Sequence, residues 1–301
     1  MKKILITGKD GQVGWELQRT LATHGTIIAL DRHSLDLAHP ANIRHAINDI
    51  KPDLIINTAA YTAVDKAETD REMALAINGK APEILAEEAK KQGAILIHFS
   101  TDYIFDGTST QPYSETDLPA PLNAYGHTKL LGEQAIQSIG GSYLILRTSW
   151  IYGARGKNFL LTMQRLAKER DALKIVGDQI GTPTWSRMLA EATAHIATKA
   201  LQKNTDSHLW GLYHLTSSGQ TSWYAFAKAI LESCQRRNPA FRMPKLDQIT
   251  TAEYPLPAKR PHFSVLSNAK ILKTFGVQMP PWQAALELCM DEQQQYAKSL
   301  P

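Results

Sequence analysis

Residues 1–14 read MKKILITGKDGQVG, and this stretch decides the fold. The apolar run at 3–7 predicts a short strand, and Gly8, Gly11 and Gly14 follow it with the spacing G-x-x-G-x-x-G before a helical pattern begins. Glycines between a strand and a helix permit a tight turn, and they let the N–H groups at the helix start approach a pyrophosphate. The stretch therefore predicts a phosphate-binding loop for a dinucleotide.

The same alternation of strand and helix continues through the first half of the chain. Short runs rich in Ile, Leu and Phe, apolar throughout, are typical of strands that helices cover on both faces. The predicted strands are 3–7, 27–30, 54–57, 94–99 and 143–148, and the predicted helices are 12–24, 41–50, 71–92 and 124–138. This repetition implies an α/β fold with a Rossmann-type, doubly wound parallel sheet.

The pattern becomes mixed after about residue 150. Helices are predicted at 159–169, 186–198 and 222–237 and from about residue 282, with a strand at 213–216 and a proline-rich loop at 238–261. We expect residues 1–150 to form an NAD(P)-binding domain. We expect residues 151–301 to form mainly a smaller, mixed α/β substrate lobe, with no clean linker between the two.

Composition excludes several classes of protein. Among 301 residues, 33 Lys and Arg against 29 Asp and Glu give a net charge of +4, and no run of Lys or Arg exceeds two residues, which argues against nucleic-acid binding. No apolar stretch approaches the roughly 20 residues of a membrane span. The two cysteines, Cys234 and Cys289, lack the spacing of a zinc or disulfide framework. We expect a cytoplasmic protein without a nucleic-acid or membrane partner.

The end of the second predicted strand, Leu30-Asp31-Arg32, bears on the choice of dinucleotide. An acid about 20 residues beyond the glycines accepts hydrogen bonds from the adenosine ribose and favours NAD. Arg32 instead suits the 2′-phosphate of NADP, so both cofactors stay open. Asp36 and Leu37 follow, in a position to cover the adenine edge. Asp36 is equally consistent with a solvated loop.

Small residues follow the third predicted strand, in Asn57-Thr58-Ala59-Ala60-Tyr61-Thr62. At the carboxyl end of a parallel strand they leave room for a cofactor to cross the sheet edge. Ordinary tight packing explains them equally well.

Tyr125-Gly126-His127-Thr128-Lys129 places a tyrosine and a lysine four residues apart at the start of a predicted helix, hence on one helical face. A neighbouring ammonium lowers the pKa of a phenol, which is ordinarily near 10. A tyrosine so tuned can protonate a carbonyl oxygen while hydride reaches its carbon. A second copy, from Tyr224 to Lys228, has no partner motif and is predicted to be structural.

The fourth predicted strand leads into hydroxyl residues that face the same crevice. Either Ser100 or Thr101 can hydrogen-bond a substrate carbonyl and polarise it, and spacing alone does not choose between them. His98, within the apolar run, is predicted to be a core histidine.

These segments together resemble the extended short-chain dehydrogenase/reductases. The resemblance rests on the glycine loop and on three further stretches, namely FSTDYIFDG at 99–107, YGHTKLLGE at 125–133 and RTSWIYG at 147–153. It covers nearly the whole chain, including DQIGTPT at 178–184 and AEYPLPAKRP at 252–261.

The resemblance implies roles for individual residues. Thr101, Tyr125 and Lys129 would form the catalytic triad, because Thr101 rather than Ser100 occupies the family's hydroxyl position. Tyr125 would donate the proton, and Lys129 would also hold the nicotinamide ribose. Substrate contacts would come from Thr101, Asp102, Trp150 and Arg260, the last at a phosphate. Together with the motif residues, the expected cofactor-binding set is Gly8, Asp10, Gly11, Gln12, Val13, Gly14, Asp31, Arg32, Asp36, Leu37, Ala60, Tyr61, Thr62, Phe99, Tyr125 and Lys129.

The implied reaction is hydride transfer from NADPH or NADH to C4 of the dTDP-sugar dTDP-4-dehydro-L-rhamnose, giving dTDP-L-rhamnose. One alternative is a sugar-nucleotide epimerase or dehydratase of the same superfamily. Dehydratases usually carry Asp-Glu after the hydroxyl residue, whereas Asp102-Tyr103 follows Thr101 here, which favours reduction. Another alternative is a non-catalytic regulatory subunit similar to that of mammalian methionine adenosyltransferase.

Some family members hold a magnesium ion between subunits with glutamates. Glu16 matches one such position, but Arg187 stands where another glutamate would be, which argues against a metal in this chain. A homodimer stays open.

Overall fold

The computed structural model describes residues 1–202 and 207–299, and strands alternate with helices along it. The strands are β1 (Lys3–Thr7), β2 (Thr26–Leu30), β3 (Leu54–Asn57), β4 (Ile95–Thr101), β5 (Tyr143–Thr148), β6 (Ile151–Tyr152), β7 (Ala172–Val176), β8 (Ile180–Gly181), β9 (Thr184–Trp185), β10 (Gly211–His214), β11 (Thr221–Ser222) and β12 (Lys245–Ile249). The α-helices are α1 (Gln12–Thr20), α2 (Pro40–Ile50), α3 (Val64–Ala67), α4 (Arg71–Leu75), α5 (Ala81–Gln92), α6 (Ala124–Ile139), α7 (Phe159–Glu169), α8 (Ser186–Gln202), α9 (Trp223–Arg237), α10 (Ala269–Phe275) and α11 (Trp282–Ser299).

Six strands form one parallel sheet in the order β10-β5-β4-β3-β1-β2. The chain leaves β1 toward β2 and then returns past β1 to β3, so the winding direction reverses between β1 and β3. In doubly wound sheets, ligands bind in the crevice at the carboxyl ends of the strands where this reversal occurs. The Rossmann-type fold predicted from the sequence is confirmed.

Alternate residues of β1 face two separate cores, as a strand buried on both faces requires. Ile4 and Ile6 pack with apolar side chains of α1 and α8. Leu5 packs on the opposite face with α2 and α5. Full burial of one such side chain stabilises a fold by about 1.5–3 kcal/mol, so this run anchors the loop that follows it.

The two halves of the chain share this sheet. β10, predicted at 213–216 in the smaller lobe, lies at 211–214 and pairs in parallel with β5 of the central sheet. α8 packs on α1, where the Thr20 hydroxyl donates to the carbonyl of Ala190 at 3.3 Å. A separate core, which includes Phe226 and Trp282, supports the short strand pairs of the second half. The division of cofactor and substrate roles at residue 150 stays a prediction.

Some element boundaries differ from the predicted ones. The first helix ends at Thr20 rather than at residue 24, and β4 continues to Thr101. The predicted helix 71–92 is interrupted by a π-helical turn over Ala76–Lys80. Pro82 lies two residues after this turn and has no N–H for the Asn78 carbonyl, so the regular α-helical bond is missing there. Within the two described ranges, no helix is both long and apolar enough to cross a membrane.

Candidate active site

The glycine loop carries the chain from β1 into α1 at the carboxyl edge of the sheet. Gly8 has φ of 71°, in the left-handed region that favours glycine, and a Cβ there would lie 3.0 Å from the backbone of Ala59. A Cβ on Gly14 would collide with the carbonyl oxygen of Gly8. Gly11 is the N-cap of α1 and brings no capping side chain, so the first N–H groups of the helix remain for a ligand. The loop fits a dinucleotide pyrophosphate.

The other predicted residues of this loop divide into two groups. Asp10, Gly11 and Gln12 line a cavity at the start of α1. Val13 and Gly14 are buried beneath the loop, where they pack against the sheet. The first group is positioned to meet a ligand, and the second supports the turn.

Asp31 lies at the carboxyl end of β2 with both carboxylate oxygens engaged. Oδ2 lies 2.8 Å from Nζ of Lys9, and Oδ1 accepts hydrogen bonds from the N–H and hydroxyl of Ser34 at 2.8 and 2.6 Å. The Lys9 ammonium and the Ser34 donors hold the pKa of Asp31 well below its usual range. Arg32 is exposed beside this group.

The next two predicted residues lie on the turn after β2. Asp36 accepts a hydrogen bond from the N–H of Ala38 at 3.0 Å, so its carboxylate stabilises the turn. Leu37 is buried in the core that contains Leu5. Their contact with adenine stays a prediction.

The segment after β3 is held by a side chain that the sequence analysis missed. Asn78, in the π-helical turn, accepts from the N–H of Tyr61 at 2.9 Å and donates to the Tyr61 carbonyl at 3.1 Å. The Tyr61 hydroxyl donates to Asp70 at 2.9 Å, and Ala60 is half-buried while Thr62 is exposed. An asparagine four residues before Pro82, within a predicted helix, was the available signal.

Thr101, Asp102 and Tyr125 come together where β4 ends and α6 begins. The Thr101 hydroxyl donates to Oδ1 of Asp102 at 3.1 Å, and it accepts from the N–H of Tyr103 at 3.2 Å. The ring of Tyr103 meets the ring of Tyr125 edge to face, with centroids 5.7 Å apart. Asn123 caps α6 by accepting from the N–H of Gly126 at 2.8 Å, which fixes the first turn that carries Tyr125.

Burial dominates the electrostatics of this group. It raises the pKa of Tyr125 to about 12, with the Thr101 hydroxyl opposing the rise and the Asp102 carboxylate adding to it. Burial also raises the pKa of Asp102 to about 7, against hydrogen bonds from Ser264 and Thr101. Tyr125 is therefore held as a neutral phenol at neutral pH.

The position of Lys129 differs from the expectation that its ammonium lowers the pKa of Tyr125. Its Nζ donates to the carbonyl of Phe99 at 2.6 Å and lies 3.1 Å from Nε2 of His98, so the side chain turns toward the sheet. Burial lowers the pKa of Lys129 to about 8, and Glu133 opposes that shift. The pKa of Tyr125 is accordingly set by burial, Thr101 and Asp102.

His98 is the core histidine that the sequence predicted. Its Nδ1 lies 3.0 Å from Nδ2 of Asn57, and its ring is buried. Because the other ring nitrogen touches Lys129, His98 also positions that ammonium, a role that the sequence analysis missed.

Two predicted substrate residues lie beyond this centre. Trp150, two residues after the end of β5, has φ of 45° and stacks on Trp223 with ring centroids 3.5 Å apart. Arg260 is held by Asp65, with Nη1 to Oδ1 at 3.2 Å and Nη2 to Oδ2 at 2.9 Å. Its guanidinium also neighbours Tyr103. Because Asp65 engages both terminal nitrogens of Arg260, the contact of Arg260 with a phosphate stays a prediction.

The second Tyr-x-x-x-Lys copy lies on α9, away from these residues. Its Lys228 is exposed and lies 3.8 Å from Glu232 one helical turn later. This surface pair agrees with a structural role.

Glu16 does not fit a magnesium ion. Arg187 lies between two buried glutamates, with Nε 3.2 Å from Oε2 of Glu16 and Nη2 2.7 Å from Oε1 of Glu292. Magnesium needs several oxygen ligands in octahedral geometry, whereas these two carboxylates already share the guanidinium of Arg187 between them. Across residues 1–202 and 207–299, no group of three His, Cys, Asp or Glu is arranged to hold a metal.

Comparison with known proteins agrees with this geometry. Residues 1–295 match the family described as RmlD substrate binding domain. The dTDP-4-dehydrorhamnose reductase of Burkholderia thailandensis is 49% identical over 291 residues, which are 96% of this chain and 98% of that protein.

Two solved structures extend the comparison to the fold. The dTDP-4-dehydrorhamnose reductase, RfbD ortholog, of Clostridium acetobutylicum superposes with a TM-score of 0.88 at 39% identity, over 97% of this chain and 99% of that one. The Bacillus anthracis dTDP-4-dehydrorhamnose reductase, solved in complex with NADP, has a TM-score of 0.86 at 36% identity over the same shares. The chain therefore belongs to the RmlD substrate-binding-domain family, whose relatives named here are dTDP-4-dehydrorhamnose reductases.

Proposed function

We propose that this protein is a reductase that transfers hydride from NADPH or NADH to C4 of dTDP-4-dehydro-L-rhamnose, forming dTDP-L-rhamnose. The observation that carries the proposal is the convergence of the Thr101 hydroxyl and the Tyr125 ring at the sheet edge that also bears the glycine loop. β4 lies two strands from β1, about 10 Å at the usual strand spacing, which suits a dinucleotide bridging the two.

The bound dinucleotide supplies the hydride, and the residues of this chain position the sugar and move the proton. Thr101 and Tyr125 hydrogen-bond the C4 oxygen and polarise the carbonyl. Tyr125 keeps its proton because burial and the Asp102 carboxylate raise its pKa to about 12. The proton passes to C4–O as an alkoxide develops there, since an alkoxide is far more basic than the phenolate.

The remaining assignments belong to the same proposal. Lys129 binds the nicotinamide ribose from the position that the Phe99 carbonyl and His98 give its ammonium. Asp102, Trp150 and Arg260 contact the dTDP-sugar. Residues 1–150 mainly bind cofactor and residues 151–301 mainly bind substrate. The cofactor-binding set that the sequence predicts, which begins with Gly8 and ends with Lys129, is part of this proposal as well.

For setting and assembly, we propose a cytoplasmic homodimer. Two free cysteines, Cys234 and Cys289, suit a reducing compartment. Leu288 of α11 is half exposed beside Arg187, Met188 and Asp291, and a second copy would cover this mixed apolar and charged face. Sedimentation of the purified chain tests the dimer.

The deciding assay gives purified protein dTDP-4-dehydro-L-rhamnose with NADPH or NADH and follows the loss of nicotinamide absorbance, with identification of the product sugar. We expect stoichiometric cofactor oxidation. An epimerase or dehydratase would recycle its cofactor, and a regulatory subunit would show no turnover.

A pair of variants assigns the proton donor. Tyr125→Phe should lower kcat by about 10²–10⁴-fold and keep cofactor binding, because only the transferable proton is removed. Tyr224→Phe, in the second Tyr-x-x-x-Lys copy, is the matched control and should retain turnover. Near-normal turnover of Tyr125→Phe would refute the mechanism.

A further inference from the structure

Lys9, which the assignments above leave without a role, forms an ion pair at the adenosine end of the cofactor crevice. Its Nζ lies 2.8 Å from Oδ2 of Asp31, and the two side chains are 33% and 23% exposed. The backbone N–H of Lys9 donates to the carbonyl of Leu30 at 3.1 Å, which ties the glycine loop to the end of β2. The ion pair therefore has a fixed place beside the loop, and ligand can still reach it.

The position of Asp31 determines what this ion pair faces. An acid at this point of a Rossmann fold accepts hydrogen bonds from the adenosine ribose, so the 2′ position of a bound dinucleotide lies against Asp31. An unpaired carboxylate there would repel the 2′-phosphate of NADPH. Lys9 removes that charge, and Ser34 occupies the other carboxylate oxygen.

The chemistry of the ammonium suits a double contact. A lysine has three N–H donors on a compact group, so it can hold Asp31 and a phosphate oxygen at the same time. Arg32 is the other cation nearby, but it is exposed, and no ion pair ties it to Asp31 among the described residues.

We propose that Lys9 determines cofactor specificity, because it neutralises Asp31 and binds the 2′-phosphate, so that one site accepts both NADPH and NADH. The inference rests on the proposed use of a nicotinamide dinucleotide. It assigns the acceptance of the 2′-phosphate to Lys9, the second residue of the glycine motif, rather than to Arg32.

Cofactor binding without the sugar tests this proposal separately from the reaction. Dissociation constants for NADPH and NADH are measured by nicotinamide fluorescence for the wild type and for Lys9→Met, Lys9→Gln, Lys9→Arg and Arg32→Met. Lys2→Met is the matched control, because Lys2 forms an ion pair with Asp53, also at 2.8 Å, away from the crevice. A wild type that binds neither dinucleotide would overturn the proposed function itself.

We expect Lys9→Met and Lys9→Gln to weaken the binding of NADPH at least tenfold more than the binding of NADH. Lys9→Arg should keep most of the NADPH affinity. The NADPH affinity of the wild type should also fall more steeply with added salt than that of Lys9→Met, because one phosphate contact is lost. Equal losses for both cofactors would show that Lys9 only supports the loop and would overturn the proposal. A selective loss in Arg32→Met without one in Lys9→Met would overturn it as well.

Discussion

The ion pair between Glu133 and Arg147 joins the helix that carries Tyr125 to the central sheet, and its loss should be costly. Glu133, on α6, is 1% exposed and Arg147, on β5, is 2% exposed. Arg147 donates from Nε to both carboxylate oxygens at 3.0 and 3.1 Å and from Nη2 to Oε2 at 2.6 Å. Glu133→Gln keeps the volume of the side chain but leaves the guanidinium charge buried without a counter-charge.

Breaking a buried pair on one side destabilises a protein by about 3–5 kcal/mol, whereas an exposed pair contributes about 0–1 kcal/mol. We therefore expect Glu133→Gln to lower the free energy of unfolding by about 3–5 kcal/mol. The matched control is Glu169→Gln, which breaks the exposed pair between Arg165 and Glu169 on α7 and should cost less than about 1 kcal/mol.

Urea unfolding followed by circular dichroism measures both variants, with the midpoint and slope fitted together. The double variant Glu133→Leu/Arg147→Met replaces both charges with apolar groups and should recover most of the loss. If Glu133→Gln and Glu169→Gln cost the same, the charge of Arg147 is compensated by other groups, and the reasoning from burial is wrong.

Two further predictions concern charge at the site and at the Arg187 triad. Because burial raises the pKa of Asp102 to about 7, the folded state binds its proton more tightly than the unfolded chain does, so stability falls as pH rises from about 4 to about 7. Asp102→Asn should remove this fall in stability, which reaches at most about 4 kcal/mol. Urea midpoints at pH 5 and pH 8 measure the fall. An unchanged pH dependence in Asp102→Asn would contradict its assignment to Asp102. EDTA and Mg²⁺ should leave the Tm of the wild type unchanged, because the guanidinium of Arg187 already bridges Glu16 and Glu292. In Arg187→Glu, added Mg²⁺ should raise the Tm, and in the control Arg187→Gln it should not. A wild-type Tm that falls when EDTA is added would refute the inference that Arg187 stands in place of a metal ion.

Sequence reasoning succeeded where a local pattern determines the structure. The strand at 3–7, its glycines and the start of α1 follow from apolar runs and backbone conformation within about fifteen residues. Helix α7 lies at the predicted bounds for the same reason. The spacing of Tyr125 and Lys129 also placed both residues on α6.

The failures concern contacts between distant parts of the chain. The direction of the Lys129 side chain depends on the Phe99 carbonyl, 30 residues away in sequence, which no spacing rule contains. The support that Asn78 gives Tyr61 and the placement of β10 beside β5 are equally non-local. Helical spacing predicts which residues share a face, but tertiary packing decides which partner each one meets.

The pairing of β10 with β5 has a consequence for how the protein is made. While residues 1–150 leave the ribosome, β5 pairs with β4 on one side only, and the backbone donors and acceptors on its other side have no neighbour until residues 211–214 arrive. The face of α1 that packs on α8 is open during the same interval. A chain stopped at residue 150 would therefore expose an apolar strand edge and aggregate, so the complete sheet can form only late in synthesis.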